Sequence, residues 1–189
     1  MWLIKIMNPR IKPIEESDAP LWIKPLFSAY KKAVGKVTTA VKVQAHRPSI
    51  AWFGNLFGLA IEKSGKVEKR IHVLAQFRAA QIVECPFCID IIPAVGKKQG
   101  VLTDAEISAV SHYFDSDLFS IREKVAMEYA EAVSKTPVKV SDEMFARLKQ
   151  YFDEKQIVEL TASIAYENYR ARFNHALSIG SDNLYNKKG

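Results

Sequence analysis

Cysteine is scarce in this chain, with two residues in 189. That count and the length exclude a disulfide-stapled miniprotein. Glycine and proline are sparse as well, at eight each, while 48% of the residues are hydrophobic. Collagen-like, low-complexity and intrinsically disordered chains are thereby excluded, because nearly half the residues can drive burial. No apolar run approaches the ~20 residues of a membrane span. The opening Met1-Trp2-Leu3-Ile4-Lys5-Ile6-Met7 is apolar but too short for a secretory core, and Asn8-Pro9-Arg10 breaks it. There is no convincing period-two strand run, no phosphate-binding glycine loop and no internal repeat. The net charge of +6 is spread along the chain, without an arginine-rich tract or nucleic-acid-binding motif. These absences lead us to expect a cytoplasmic protein with no membrane or nucleic-acid partner.

What remains is helical. Three prolines punctuate residues 8–20, so residues 1–20 read as an irregular arm, 21–182 as one domain and 183–189 as a tail. His46-Arg47-Pro48 is a break, with Ser49 as N-cap of a buried helix over 50–62. Lys66–Glu84 has a clear helical period, with Ile71, Leu74, Ala75, Arg78 and Ile82 on one face. Arg78 at the centre of that stripe calls for a carboxylate partner in an ion pair, unless its stem snorkels outward. A further helix opens at Cys85-Pro86-Phe87-Cys88 and runs to about Gly100, with a kink expected at Pro93. Thr103 and Glu106 form a capping box. Helices follow over 119–134, from Ser141 to about Phe152, and from the cap Asp153 to Ile179, stopped by Gly180. The last has one stripe of Leu160, Ile164, Asn168, Ala171 and His175, and an opposite one of Tyr166, Tyr169 and Phe173. A helix apolar on both sides is buried on both, inside the domain or between subunits, which favours an oligomer. The fold class is all-α.

Both cysteines fall in one tetrapeptide. Residues i and i+3 on a helix share a face within disulfide reach. A helix N-terminus stabilises a thiolate, the nucleophilic form, and a second thiol can resolve a sulfenic acid. The adjacent Glu84 works against this by raising a thiol pKa. Zinc would need two further ligands, and none of the four histidines stands at finger spacing, so no metal is expected. A thioredoxin-type fold needs a strand before the motif, and here a long helix precedes it. The bland alternative is a pair of buried, reduced cysteines that simply pack.

Leu74-Ala75-Gln76-Phe77-Arg78-Ala79-Ala80-Gln81, Cys85-Pro86-Phe87-Cys88-Ile89-Asp90 and Gly100-Val101-Leu102-Thr103 resemble the carboxymuconolactone decarboxylase / AhpD-like family, as do Ile157-Val158-Glu159-Leu160 and Glu167–Asn174. The resemblance covers roughly residues 45 to 180. It implies an all-α AhpD-like multi-helix bundle with a long C-terminal helix and the CxxC at the start of a central helix. It also implies a homo-oligomer, whether dimer, trimer or hexamer. In the AhpD-like branch it implies an antioxidant thiol peroxidase without a bound cofactor: Cys88 attacks a small peroxide, Cys85 resolves, and an external dithiol such as a lipoyl group, carried by a reductant protein, restores the pair. Two departures stand out. Where the branch has a histidine this chain has Ile92, and where it has a glutamate this chain has Val73. Those residues relay the proton, so His72, Glu167 and His175 become the candidates to replace them; Glu167 is also a candidate partner for Arg78. The alternative is a non-enzymatic scaffold used for binding or redox sensing, its relay lost.

Overall fold

The computed structural model describes residues 7–185; the expectations for Met1–Ile6 and for the tail beyond Tyr185 lie outside them. Among the described residues nine α-helices, one short 3₁₀ helix and no strand are present: α1 (Lys24–Val34), α2 (Thr39–Gln44), α3 (Pro48–Ser64), α4 (Lys69–Ile82), α5 (Pro86–Lys98), α6 (Asp104–Ala109), the 3₁₀ turn Val110–Asp115, α7 (Ile121–Ser134), α8 (Asp142–Leu148) and α9 (Glu154–Ala176). No helix is long and apolar enough to cross a membrane.

Helix α4 is the hub, packed against α5, α7 and α9. Of its expected stripe Ile71, Leu74 and Ala75 are buried while Arg78 and Ile82 are half-buried, and Phe77, Ala79 and Ala80 on its other sides are buried too. It therefore divides two apolar clusters. One, with Leu74, Phe77 and Ala80, surrounds the cysteines and reaches Ile91, Leu102, Val110 and Met127. The other, with Ile71, Ala75 and Ala79, joins α7, α8 and α9 through Ala126, Leu148, Leu160 and Ile164. A third packs α1 and α2 through Ile23, Phe27 and Val41.

Helix starts follow the local chemistry. Thr103 with Glu106, Ser120 with Glu123 and Asp153 with Gln156 form reciprocal capping boxes, and Ser141 accepts from the Met144 N–H. Several expectations need correction. Ser49 is not a cap: Pro48, its φ preset and its missing N–H no loss in a first turn, opens α3 one residue earlier. Helix α3 is not buried. Only Ala51 and Ile61 are covered, because α2 and α9 pack on one side alone, leaving Ile50, Phe53, Leu56, Phe57 and Leu59 exposed. Helix α9 ends at Ala176, not Ile179. Ser178 turns left-handed (φ 53°), and the Ser178 and Ile179 N–H groups bond back to the His175 and Asn174 carbonyls, so a Schellman turn, not Gly180, closes the helix. Helix α8 likewise stops at Leu148, short of Phe152, and α5, which contains Pro93, ends at Lys98, two residues before Gly100.

Candidate active site

The cysteines sit at a corner built by two helix ends sharing one residue. Helix α4 closes in a Schellman turn: the Glu84 N–H bonds the Gln81 carbonyl and the Cys85 N–H bonds the Ala80 carbonyl. Glu84 supplies the left-handed residue (φ 53°), a place usually taken by glycine. Cys85, last residue of that turn, is the N-cap of α5, and Pro86 takes the first helical position. The Cys88 N–H donates to Cys85 Sγ at 3.3 Å, so sulfur stands where a Ser or Asp oxygen usually caps. The two sulfurs are joined in a disulfide, with Cα atoms 5.3 Å apart. Neither residue is exposed.

Among the described residues one side chain donates to the sulfurs. Asn174 of α9, itself buried, directs Nδ2 at Cys85 Sγ (3.8 Å) and Cys88 Sγ (3.7 Å). On the same face of α9 lie Arg170 and Glu167, at spacings of four and three residues. Glu167 is completely buried and, among the described residues, neither of its oxygens accepts a hydrogen bond and Arg170 Nη1, at 3.4 Å, is the one cation paired with it. Burial pushes the Glu167 carboxyl up to about 7, against the opposing pull of Arg170. The Arg170 guanidinium lies 5.6 Å from the Tyr166 ring centroid and makes no hydrogen bond among the described residues.

Beside this seam is a narrow cavity of about 20 Å³, with Tyr30, Gln44, Asn55, Tyr166, Arg170 and Asn174 among the residues that line it and neither cysteine on its wall. The Tyr30 hydroxyl donates to Asn55 Oδ1 at 2.6 Å. Burial holds the Tyr166 hydroxyl up at about 12, so it stays protonated.

The other residues singled out from the sequence are placed as follows. His72 Nε2 meets Glu159 Oε1 at 2.7 Å; at about 1.5 Å of rise per residue it lies some 15 Å along α4 from the end that carries the cysteines. Burial of Glu159 opposes its ionisation, but hydrogen bonds from Ser64, His72 and the Val67 and Lys66 amides outweigh that and hold it down to about 2. His175 is exposed and its Nε2 is committed to the Val83 carbonyl at 2.8 Å, two residues before Cys85. Arg78 does have a carboxylate partner, Glu131 at 2.7 Å, rather than Glu167, and its guanidinium also takes Gln81 Oε1. Positions 73 and 92 are valine and isoleucine packed within the cluster around the cysteines. Of the three relay candidates, only Glu167 lies on the face of α9 that reaches the sulfurs through Asn174. Asn174 was not singled out as a site residue, although it closes the Glu167–Asn174 stretch that carries the resemblance and stands in a four-three-four run of polar residues, Ser163, Glu167, Arg170 and Asn174.

Asp90, two residues beyond Cys88, anchors the end of the described chain. Its buried carboxylate accepts from the Ser181 hydroxyl and from the N–H groups of Asp182, Leu184 and Tyr185, all within 3.0 Å. Asp182 in turn caps α2 through the Thr39 N–H and hydroxyl. No group of three or more His, Cys, Asp or Glu suited to a metal ion occurs among the described residues.

No family model matches the chain. The uncharacterized Escherichia coli K12 protein YnjA is 34% identical over 170 residues, spanning 89% of this chain and 92% of YnjA. Among solved structures, an uncharacterized peroxidase-related protein of Ralstonia eutropha JMP134 with an alkylhydroperoxidase AhpD core covers 93% of this chain and 94% of its own, with TM-score 0.76 and 19% identity. The chain belongs to one family with YnjA, and its fold is AhpD-like. The same fold is found in the debrominase Bmp8, in complex with 2,3,4-tribromopyrrole, at TM-score 0.81, 20% identity and 90% coverage of both chains. The all-helical AhpD-like architecture, with its CxxC at a helix start, therefore stands on backbone geometry as well as on the sequence pattern.

Proposed function

We propose that this AhpD-like chain is an antioxidant thiol peroxidase that turns over through the Cys85–Cys88 pair and an external dithiol reductant of lipoyl type. The observation carrying the reading is the corner itself: two sulfurs at a helix N-terminus, with one buried amide, Asn174 Nδ2, within reach of both. N–H dipoles and that amide favour the thiolate once the pair is reduced. In the forward step the Cys88 thiolate attacks one peroxide oxygen, an S–O bond forms, the O–O bond breaks, and the departing oxygen takes a proton. Glu167, with a carboxyl near 7, supplies that proton. The Cys85 thiol then gives up its proton and attacks Cys88 Sγ of the sulfenic acid, the displaced hydroxide takes that proton and leaves as water, and the disulfide closes. Two thiols and one peroxide become one disulfide and two waters, and a dithiol returns the pair to the start. On this reading the protein works as a homo-oligomer, its second copy covering the apolar outer face of α3 and α9.

The test is peroxide consumption by the protein with dihydrolipoamide as electron source. Two thiols should be oxidised per peroxide. Cys88→Ser should abolish consumption, and Cys85→Ser should stop it after a single event, leaving a sulfenic acid on Cys88 that dimedone traps. A trapped sulfenic acid in Cys88→Ser instead would reverse the two roles. Peroxide that survives unchanged beside the reduced protein and its dithiol would overturn the reading and leave binding or redox sensing.

A second reading, reductive dehalogenation, is favoured by the fold match to Bmp8. The same two thiols would supply two electrons, the carbon–halogen bond would break, carbon would take a proton and halide would leave. Release of bromide from a bromopyrrole with matching thiol loss is its readout.

A further inference from the structure

A thiolate at this corner depends on hydrogen bonds. Both cysteines are fully buried, in an apolar cluster with Leu74, Phe77 and Met127, and such surroundings disfavour a charged sulfur. Glu84, the residue before Cys85, is exposed, and its carboxylate pulls in the same direction. The α5 N-terminus and two printed donors oppose them. The Cys88 N–H reaches Cys85 Sγ alone. Asn174 Nδ2 reaches both sulfurs, at 3.8 Å and 3.7 Å, and is itself buried. Its backbone is pinned on both sides. The Asn174 carbonyl accepts the Ile179 N–H at 2.9 Å. The neighbouring His175 ring donates Nε2–H to the Val83 carbonyl, two residues before Cys85. Helix α9 is thereby tied to the end of α4 that carries the corner, and the amide is held at the sulfurs.

That amide meets a different partner in each redox state. A disulfide sulfur is neutral and a weak acceptor. A thiolate carries a full charge, so a hydrogen bond to it is charge-assisted, and it gains further strength among apolar neighbours. An N–H held where either sulfur can take it therefore stabilises the reduced pair more than the oxidised one. We propose that Asn174 sets the redox poise of the Cys85–Cys88 pair, making its disulfide easier to reduce than the helix N-terminus alone would. In the reduction an external dithiol gives up two electrons and two protons and closes its own disulfide. The Cys85–Cys88 bond opens, one sulfur keeps a proton, the other proton passes to solvent, and Asn174 holds the thiolate that is left. A dithiol of modest reducing power then suffices to recharge the pair. This poise holds whichever oxidant the thiols meet, and so goes beyond the peroxidase reading.

The experiment equilibrates the whole protein and its Asn174→Leu and Asn174→Asp variants with graded mixtures of reduced and oxidised dithiothreitol at neutral pH, and counts free thiols after acid quenching and alkylation. Leucine has nearly the size of asparagine and no N–H, and aspartate keeps the shape with an oxygen in place of the donor. Each variant should shift the equilibrium toward the disulfide at least about tenfold, the loss expected for one hydrogen bond to a charged group, which is a potential about 30 mV more negative. The reduced native protein should also show a stronger ultraviolet thiolate band than either reduced variant. Thermal midpoints in both redox states separate this effect from loosened packing, since a merely structural Asn174 would lower both midpoints alike and leave the equilibrium where it was. Folded variants whose equilibrium stays within about twofold of the native one, or moves toward the dithiol, would overturn the inference. No peroxide enters the measurement. Peroxide that survives beside a pair showing the expected shift overturns the peroxidase reading alone, and peroxide consumption without the shift overturns this poise alone.

Discussion

A carboxylate without a hydrogen bond is costly to bury, and Glu167 is one. In the unfolded chain its carboxyl titrates near 4.5, and in the folded protein near 7. Between those values the folded state holds a proton that the unfolded chain has released, so stability falls as pH rises through the window and stays reduced above it. Glu167→Gln removes that titration. From about pH 5 to about pH 8 the native protein should lose roughly 2–3 kcal/mol that the variant keeps, read as the difference between their urea midpoints at the two pH values. Parallel pH curves would mean that Glu167 does not titrate in this window. Glu159 behaves in the opposite sense. Its carboxyl, held down to about 2, contributes stability that is present above the ordinary carboxylate range and lost as pH falls toward 2.

The turn between α4 and α5 shows what a helix end can do for chemistry. A Schellman closure places Cys85 in the cap position, so the orphan N–H groups of α5 face a sulfur. The left-handed residue at its centre is Glu84, whose Cβ meets steric resistance there. Glu84→Gly relieves that strain and loses some unfolded-chain entropy advantage, for a net gain of about 0.5–1 kcal/mol. Thermal melts should show a raised midpoint with the disulfide still formed. A lowered midpoint would mean that the exposed Glu84 side chain makes a contact worth more than the strain.

The outer face of α3 is an apolar surface that the described fold leaves open. Phe53 (72% exposed), Phe57 and Leu56 stand on it beside Tyr169 and Val158 of α9, and a groove between the helices is floored by Gly54, Ala162 and Ala165. Patches of this kind mark association surfaces. If a second copy covers it, Phe53→Glu should convert the oligomer to monomer in sedimentation velocity while leaving the helical content unchanged. A native protein that sediments as a monomer would remove the oligomer from the functional reading.

Much of this molecule could be read from neighbours within four residues. Thr103, Ser141 and Asp153 cap helices because a side-chain oxygen three residues from an orphan N–H satisfies it wherever the helix lies. The Cys85–Cys88 spacing places two sulfurs on one face of a helix start by the same local geometry. Arg78 announced its ion pair by standing on a buried stripe, although not that Glu131 would be the partner. The contacts that tune the site span much longer separations. Asn174 reaches the sulfurs across 86 and 89 residues, and Glu167 meets Arg170 inside the fold instead of Arg78. Hydrophobic periodicity reports that a residue is covered, never by what. It therefore took α3 for a core helix, when α2 and α9 cover only one of its sides. Capping and spacing are short-range and survive in any context, whereas burial and partner choice exist only once distant helices pack.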